Sequence, residues 1–208
     1  ALEWCVDPNA DNEFSDRMDV VNLSIGSDSL GLEVKNKIES EAFINLTRLG
    51  CIVVAGAGNL NNNNFYLVGT PAVERSVIAV GSAKFDGTVY RMSADSARGP
   101  SSPYSLLKPE ITAPGELIQL ARMGTGTGDA WFTGTSQALA HVSGAAALAK
   151  QAHPGWGAIE IKALLLNTAN PMLHKNGTVY PESLAGAGFL DVAQAVNTTV
   201  TAQAEDSQ

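Results

Sequence analysis

Residues 131 to 152, Trp-Phe-Thr-Gly-Thr-Ser-Gln-Ala-Leu-Ala-His-Val-Ser-Gly-Ala-Ala-Ala-Leu-Ala-Lys-Gln-Ala, constrain the fold more than any other stretch of the chain. A turn-prone Gly134-Thr135-Ser136 runs straight into a helix on which Ala138, Val142, Ala145, Ala149 and Ala152 recur at spacings of three and four. That spacing puts them on one apolar face. None of the five is larger than valine, so the helix backbone can approach closely whatever covers it. Such a helix suits the middle of a large domain.

Ser136 sits where the chain enters this helix. The first backbone N–H groups of a helix have no partner inside it and carry partial positive charge. A serine hydroxyl beside those donors is half of an oxyanion site next to a nucleophile. The same position is equally that of an ordinary N-cap, filled by Thr135 or Ser136. The spacing alone favours the cap, and the rest of the chain decides.

Residues 7 to 19 are polar and acidic and read as a surface loop. Val20-Val21-Asn22-Leu23-Ser24-Ile25-Gly26 is a short strand ending on glycine. An amphipathic helix follows over 32–49, with Val34, Ile38, Ala42, Phe43 and Leu46 on one side, stopped by Gly50. Cys51-Ile52-Val53-Val54-Ala55 is a near-continuous apolar strand of the kind buried on both faces of a parallel sheet. Strand, helix and strand make one crossover unit. Asn59 lies just beyond the carboxyl end of that strand, where open α/β sheets place ligands. It is either a turn residue or a site residue; the run Asn61 to Asn64 reads as low-complexity surface.

A third strand is expected over 76–81, an irregular stretch over 82–107, and a proline-bracketed strand over 108–115 that begins at an edge or strand start because of Pro109. The loop 124–129 is glycine-rich but has no lysine in phosphate-loop order, so it is not read as a nucleotide site. After the central helix, His153-Pro154-Gly155 is a stop. A helix from about 157 to 168 turns Ala158, Ile161, Leu164, Leu165 and Thr168 inward, and a short last helix carries Val192, Ala195 and Val196. The segment 198–208 reads as a polar tail or the start of a following segment.

Five landmarks then fall in a telling order: Asn22-Leu23-Ser24-Ile25-Gly26, Ala57-Gly58-Asn59, Ser96-Ala97-Arg98-Gly99-Pro100, Lys108-Pro109-Glu110-Ile111-Thr112-Ala113-Pro114-Gly115 and Gly134-Thr135-Ser136. With Gly186-Ala187-Gly188-Phe189-Leu190-Asp191-Val192 near the end, the chain resembles the subtilisin-like serine peptidases (subtilases) over roughly residues 18–197. The resemblance implies an α/β fold, a three-layer domain with a mostly parallel central sheet, here lacking its N-terminal strands. It implies that residues 1–197 are the C-terminal portion of such a peptidase domain. Ser136 matches the catalytic serine and Asn59 the asparagine whose amide holds the oxyanion. The backbone of Ser24, Ile25 and Gly26 would take an extended substrate as an added strand, and Gly58 would line the pocket for the side chain before the scissile bond. The chemistry implied is serine attack on a peptide carbonyl, an acyl-enzyme, then hydrolysis.

The pattern has departures. Gln137 stands where the family usually has methionine, Leu139 and Ala140 replace a small residue and proline, Leu60 and Asn61 stand where a glycine is customary, and Ser27 replaces a second glycine. The family's aspartate and histidine precede the Ser24 strand, and nothing before Val20 resembles either motif. Of the three histidines, His141 points about 140° away from Ser136 on the same helix, His153 ends that helix, and His174 lies in a loop. None is placed for the contact of about 3 Å that a general base needs. The reading is therefore a serine endopeptidase fragment completed by an upstream segment, on the same or a separate chain, that carries the aspartate and histidine. The alternative is a catalytically inactive subtilase-like binding or structural domain.

Partners follow from the same residues. A peptide or protein substrate is implied, and thirteen basic against twenty-one acidic residues, a net charge of -8 with no basic patch, speak against a nucleic-acid backbone. No apolar run is long enough to span a bilayer. No cofactor is identified; calcium enters only through the resemblance, since no acidic cluster names itself as a site. The resemblance implies a secreted or extracellular protein, weakly supported by glycosylation triplets at Asn45 and Asn176; a third, at Asn22, sits in a strand expected to be buried. Cys5 and Cys51 make neither a disulfide framework nor a metal site, and the sequence leaves open whether they pair.

Overall fold

Strands rich in Val, Ile and Ala with no polar face must be covered on both sides, and that requirement builds the molecule. The computed structural model describes residues 1–27, 37–59, 65–102 and 105–203. The chain runs through helix α1 (Leu2–Val6), strand β1 (Val20–Leu23), helix α2 (Lys37–Arg48), and strands β2 (Ile52–Gly56), β3 (Ile78–Phe85), β4 (Tyr90–Met92) and β5 (Ile111–Pro114). A hairpin of β6 (Ile118–Ala121) and β7 (Asp129–Phe132) then leads into helix α3 (Thr135–Ala152), followed by α4 (Ala158–Asn167), α5 (Glu182–Ala185) and α6 (Val192–Asn197).

β1, β2 and β3 pair in parallel, with Val20 opposite Ile52 and Val54 opposite Ile78. β5 pairs parallel to β3, Val80 opposite Ile111, and β4 pairs antiparallel, Ala83 opposite Met92. Because Val80 and Ala83 are each paired twice, β5 occupies one edge of β3, while β2 and β4 share the other.

The alternation of side chains along β2 and β3 sorts the core into two layers. Ile52, Val54, Ile78 and Val80 face α3, α4 and α6, with Ile111 and Ala113 beside them. Val53, Ala55 and Ala79 face Phe43 and Leu46 of α2, with Leu2, Cys5 and Val6 of α1 packed against the group. The result is an α/β domain with its central sheet flanked by helices on both faces.

The small-residue helix occupies the middle of the first layer. Ala138, Val142, Ala145 and Ala149 are buried as their spacing predicts, joined by Thr135, Leu139 and Ala146, whereas Ala152 is exposed. The helix ends where His153 donates its N–H to Ala149 O and Pro154 prevents continuation. On α4, the expected residues Ala158, Ile161, Leu164, Leu165 and Thr168 are all buried. Each large apolar side chain among them contributes roughly 1.5–3 kcal/mol.

Several expectations change. The predicted helix over 32–49 is described only from residue 37, so Val34 lies outside the described residues, as do Leu60, Pro103 and the asparagine run 61–64. Ile38, expected on the buried side, is 77% exposed, whereas α2 buries Phe43 and Leu46. Asn22 is exposed although it lies in β1, and its Oδ1 accepts a hydrogen bond from Ser143 Oγ at 2.8 Å. β3 runs four residues past the expected strand and pairs with β4 inside the stretch expected to be irregular. The glycine-rich loop is the tip of the β6–β7 hairpin. The segment after Asn197 is tied down through Ala202, since Asn167 Nδ2 donates to Thr201 Oγ1 at 2.9 Å and to Ala202 O at 2.7 Å.

Candidate active site

Three chain segments converge beyond the carboxyl ends of β1 and β2. The first continues β1 through Ser24, Ile25 and Gly26. It is held by an antiparallel bridge in which Ser27 N–H donates to Thr70 O at 3.1 Å. Here the backbones touch: a Cβ on Gly26 would lie 2.5 Å from Thr70 O. Glycine at this point is a requirement of close approach. All three residues are exposed, Ile25 to 74%.

The second segment follows β2. Gly58 takes a φ of +116°, a conformation that favours glycine, and delivers Asn59 to the surface. The third is the entry to α3. Gly134, with φ +153° and its N–H donating to Gly115 O at 2.8 Å, is the N-cap, and it offers no side chain. Thr135 and Ser136 are therefore the first two residues inside the helix, which overturns the reading of either as the cap.

The three segments enclose a cavity of about 330 Å³. All six residues singled out in the sequence line it: Ser24, Ile25 and Gly26 from the first segment, Gly58 and Asn59 from the second, and Ser136 from the third. The sequence left one feature unread, the work of Thr135. Asn59 Oδ1 accepts from Thr135 N–H at 2.7 Å and from Thr135 Oγ1 at 3.1 Å. Thr135 Oγ1 in turn accepts from Gly58 N–H at 3.3 Å. Held by its oxygen, the Asn59 amide turns its Nδ2 donors away from Thr135, and no acceptor among the described residues takes them. The only sequence signal for this role was a hydroxyl between Gly134 and Ser136.

Ser136 is half-buried, and among the described residues its hydroxyl and its backbone N–H have no hydrogen-bond partner. The neighbouring N–H groups are engaged, Thr135 by Asn59 and Gln137 by Gly134 O at 3.2 Å. A free hydroxyl thus sits in a cavity shared with two uncommitted donors, the Ser136 N–H and the Asn59 amide. Such donors stabilise negative charge on a bound oxygen.

The departures fall at different depths. Leu139 is fully buried in the α3 core and also lines the cavity, whereas Ala140 is exposed. Gln137 Oε1 is buried without a hydrogen-bond partner among the described residues and lies 3.2 Å from where a Gly134 Cβ would be.

Among the described residues, no histidine, aspartate or glutamate lines this cavity. His141 is exposed and its Nδ1 lies 2.9 Å from Gln137 O. His153 stacks on Trp156 at 4.4 Å between ring centres, and His174 packs on Tyr180 at 3.6 Å. Nor do the described residues contain a group of three or more His, Cys, Asp or Glu side chains able to hold a metal ion, and calcium rests on the family resemblance alone. In the acidic loop, Asp7 and Asp11 accept backbone N–H groups from Asp11, Asn12 and Glu13. No described helix is long and apolar enough to cross a membrane.

The chain is similar to known proteins over most of its length. The chain matches the Subtilase family, Peptidase_S8, over residues 2–192. It is 38% identical over 106 residues to the minor extracellular protease Vpr of Bacillus subtilis (strain 168), covering 49% of this chain and 13% of that one. It is 34% identical over 169 residues to a subtilisin of Bacillus pumilus, covering 81% of this chain and 52% of that one. Among solved structures, the prenylagaramide maturation protease PagA superposes with a TM-score of 0.69 at 25% identity, over 94% of this chain and 64% of that one. The chain therefore spans about half or less of the length of these two curated relatives. With the family match running across nearly the whole chain, and the sheet and helices superposing on a protease of known structure, this chain belongs to the subtilase family.

Proposed function

We propose that the chain carries the nucleophile and oxyanion side of a serine endopeptidase and hydrolyses peptide bonds when an upstream segment supplies the aspartate and histidine. The observation that carries this reading is the meeting, in one cavity, of the unpartnered Ser136 hydroxyl, the oriented Asn59 amide and the Ser24–Gly26 backbone. In this reading Ser24, Ile25 and Gly26 pair with an extended peptide as an added strand. Gly58 lines the pocket for the side chain before the scissile bond. Ser136 Oγ attacks the carbonyl carbon, its proton passes to the histidine of the upstream segment, and the developing oxyanion takes hydrogen bonds from Asn59 Nδ2 and the Ser136 N–H. The leaving amine takes the proton, and water then hydrolyses the acyl-enzyme.

Two findings support the need for an upstream segment: the cavity wall has no general base among the described residues, and the relatives are longer. Residues 1–197 form the C-terminal portion of the peptidase domain in this reading. Extracellular placement goes with it, as the name of the Vpr relative suggests. A second reading, a binding or structural domain without catalysis, is favoured by the same missing base and by Gln137, Leu139 and Ala140 beside the serine.

A fluorophosphonate probe separates the two. Labelling at Ser136 of the chain joined to its natural upstream segment, absent in Ser136→Ala and weak or absent in the chain alone, is the expected result. A completed, folded protein that resists the probe would rule out the peptidase and leave the binding domain.

A further inference from the structure

Away from the cavity, the two cysteines are nucleophilic side chains for which the peptidase chemistry has no use. Cys5 lies on α1 and is half-buried; Cys51 immediately precedes β2 and is fully buried; both thiols are free. They belong to one apolar cluster, Cys5 packing against the group that contains Cys51, Val53, Phe43 and Leu46. Backbone bonds link their neighbourhoods: Met18 N–H donates to Cys5 O at 2.8 Å, and Ile52, the residue after Cys51, donates its N–H to Asp19 O at 2.8 Å. The adjacent Met18 and Asp19 thus connect the segment of Cys5 to the start of β2, where Cys51 sits. Burial pushes the Cys51 thiol up, the Arg17 guanidinium works against that rise, and Cys5 and Asp19 add to it.

We propose that Cys5 and Cys51 are a thiol pair that closes to a disulfide in an oxidising environment, stapling α1 to the start of β2. The oxidant is a low-molecular-weight disulfide such as oxidised glutathione. The more exposed Cys5, as thiolate, attacks one glutathione sulfur, forming a mixed disulfide and expelling one glutathione thiolate. Cys51 then gives up its proton and attacks the Cys5 sulfur, forming the protein S–S bond and expelling the second glutathione thiolate. Two cysteine thiols are oxidised, and one glutathione disulfide is reduced to two thiols. The bond closes the chain from residue 5 to residue 51 and so restricts the unfolded ensemble. It joins the layer behind the sheet to the strand whose far end presents Asn59.

The test is incubation of the folded protein with oxidised glutathione, followed by non-reducing peptide mass mapping, thiol titration and thermal melting. The expected result is a Cys5–Cys51 linked peptide, loss of both thiols, and a midpoint raised by several degrees that dithiothreitol reverses. Cys51→Ser is expected to stop at the Cys5–glutathione mixed disulfide with no rise. Wild-type protein that stops at the mixed disulfide, links through Cys5 to a second chain, or keeps both thiols while remaining folded by circular dichroism would overturn the proposal.

Discussion

Asn59 stands just past a buried strand with its amide oxygen held by two Thr135 donors, at 2.7 and 3.1 Å, and this pair of contacts orients the nitrogen. The backbone donor survives any substitution at residue 135, whereas the hydroxyl does not. Thr135→Val keeps the shape and removes the bond to Asn59 Oδ1 and the acceptor for Gly58 N–H. In the completed protein its acylation rate by a fluorophosphonate is expected to fall about tenfold, equivalent to about 1.4 kcal/mol. Asn59→Ala, which removes the donor outright, is expected to cost about 3 kcal/mol of transition-state stabilisation. Equal rates for Thr135→Val and wild type would show that the backbone bond alone positions the amide.

At the scale of elements, α3 links the site to the core. Its first turn carries Thr135 and Ser136, and its buried face packs on β1, β2, β3 and β5. Alanine at 145, 146 and 149 lets that helix lie close to the sheet, so enlarging any of them must lift the helix and with it the serine. Ala146→Leu adds volume at a position with no exposed surface. It is expected to destabilise by about 1–3 kcal/mol, lowering the melting midpoint by roughly 2–4 °C per kcal/mol in calorimetry. Leu139, larger than the residue usual in the family at its position, is already absorbed there, fully buried between the cavity and the core. The periodicity of α3 and α4 made these faces legible. The β6–β7 hairpin was not, because its two strands leave most side chains exposed and give no clean alternation of buried and exposed residues.

Across the whole molecule, a buried charge network joins the sheet to α4. Lys108 Nζ, 1% exposed, donates to Glu74 O at 2.7 Å and Val77 O at 2.8 Å and lies 3.0 Å from Glu110 Oε2; Lys162 of α4 lies 2.6 Å from Glu110 Oε1. Burial pulls the Lys108 ammonium down from 10.5 to about 8, with Glu110 opposing. Burial would raise the Glu110 carboxyl, but Lys108 and Lys162 together hold it below its usual range. The lysine is charged in both folded and unfolded states below about pH 8; between about 8 and 10.5 only the unfolded state keeps the proton, so this group favours folding increasingly as pH rises. Glu110 works at the other end, supporting the fold above the usual carboxylate pKa and losing that support as pH falls through its depressed value. Melting midpoints from pH 7 to 10 are expected to show the alkaline contribution in wild type and to lose it in Lys108→Met. That variant should also be destabilised by about 3–5 kcal/mol, because the carbonyls and Glu110 lose a buried partner.

The other molecular-scale feature is the outer side of β1, which has no strand partner among the described residues. Under the proposed function that edge receives the upstream segment, and an unpaired edge invites association. The chain alone is expected to form concentration-dependent oligomers in sedimentation velocity, and the completed protein to remain a monomer. A chain monomeric at all concentrations would count against an open edge. By itself, the sequence pointed to the buried strands, the faces of α3 and α4, the family, and six of the residues that line the cavity. Each of these is written locally, in periodicity or in a motif of adjacent residues. Only the tertiary structure decided that Thr135 holds Asn59, that Gly134 rather than a hydroxyl caps α3, that Lys108 and Lys162 share Glu110, and that Cys5 packs beside the Cys51 cluster. Most of those contacts join residues far apart in the chain, and their geometry is fixed by how the layers pack, for which sequence spacing carries no signal.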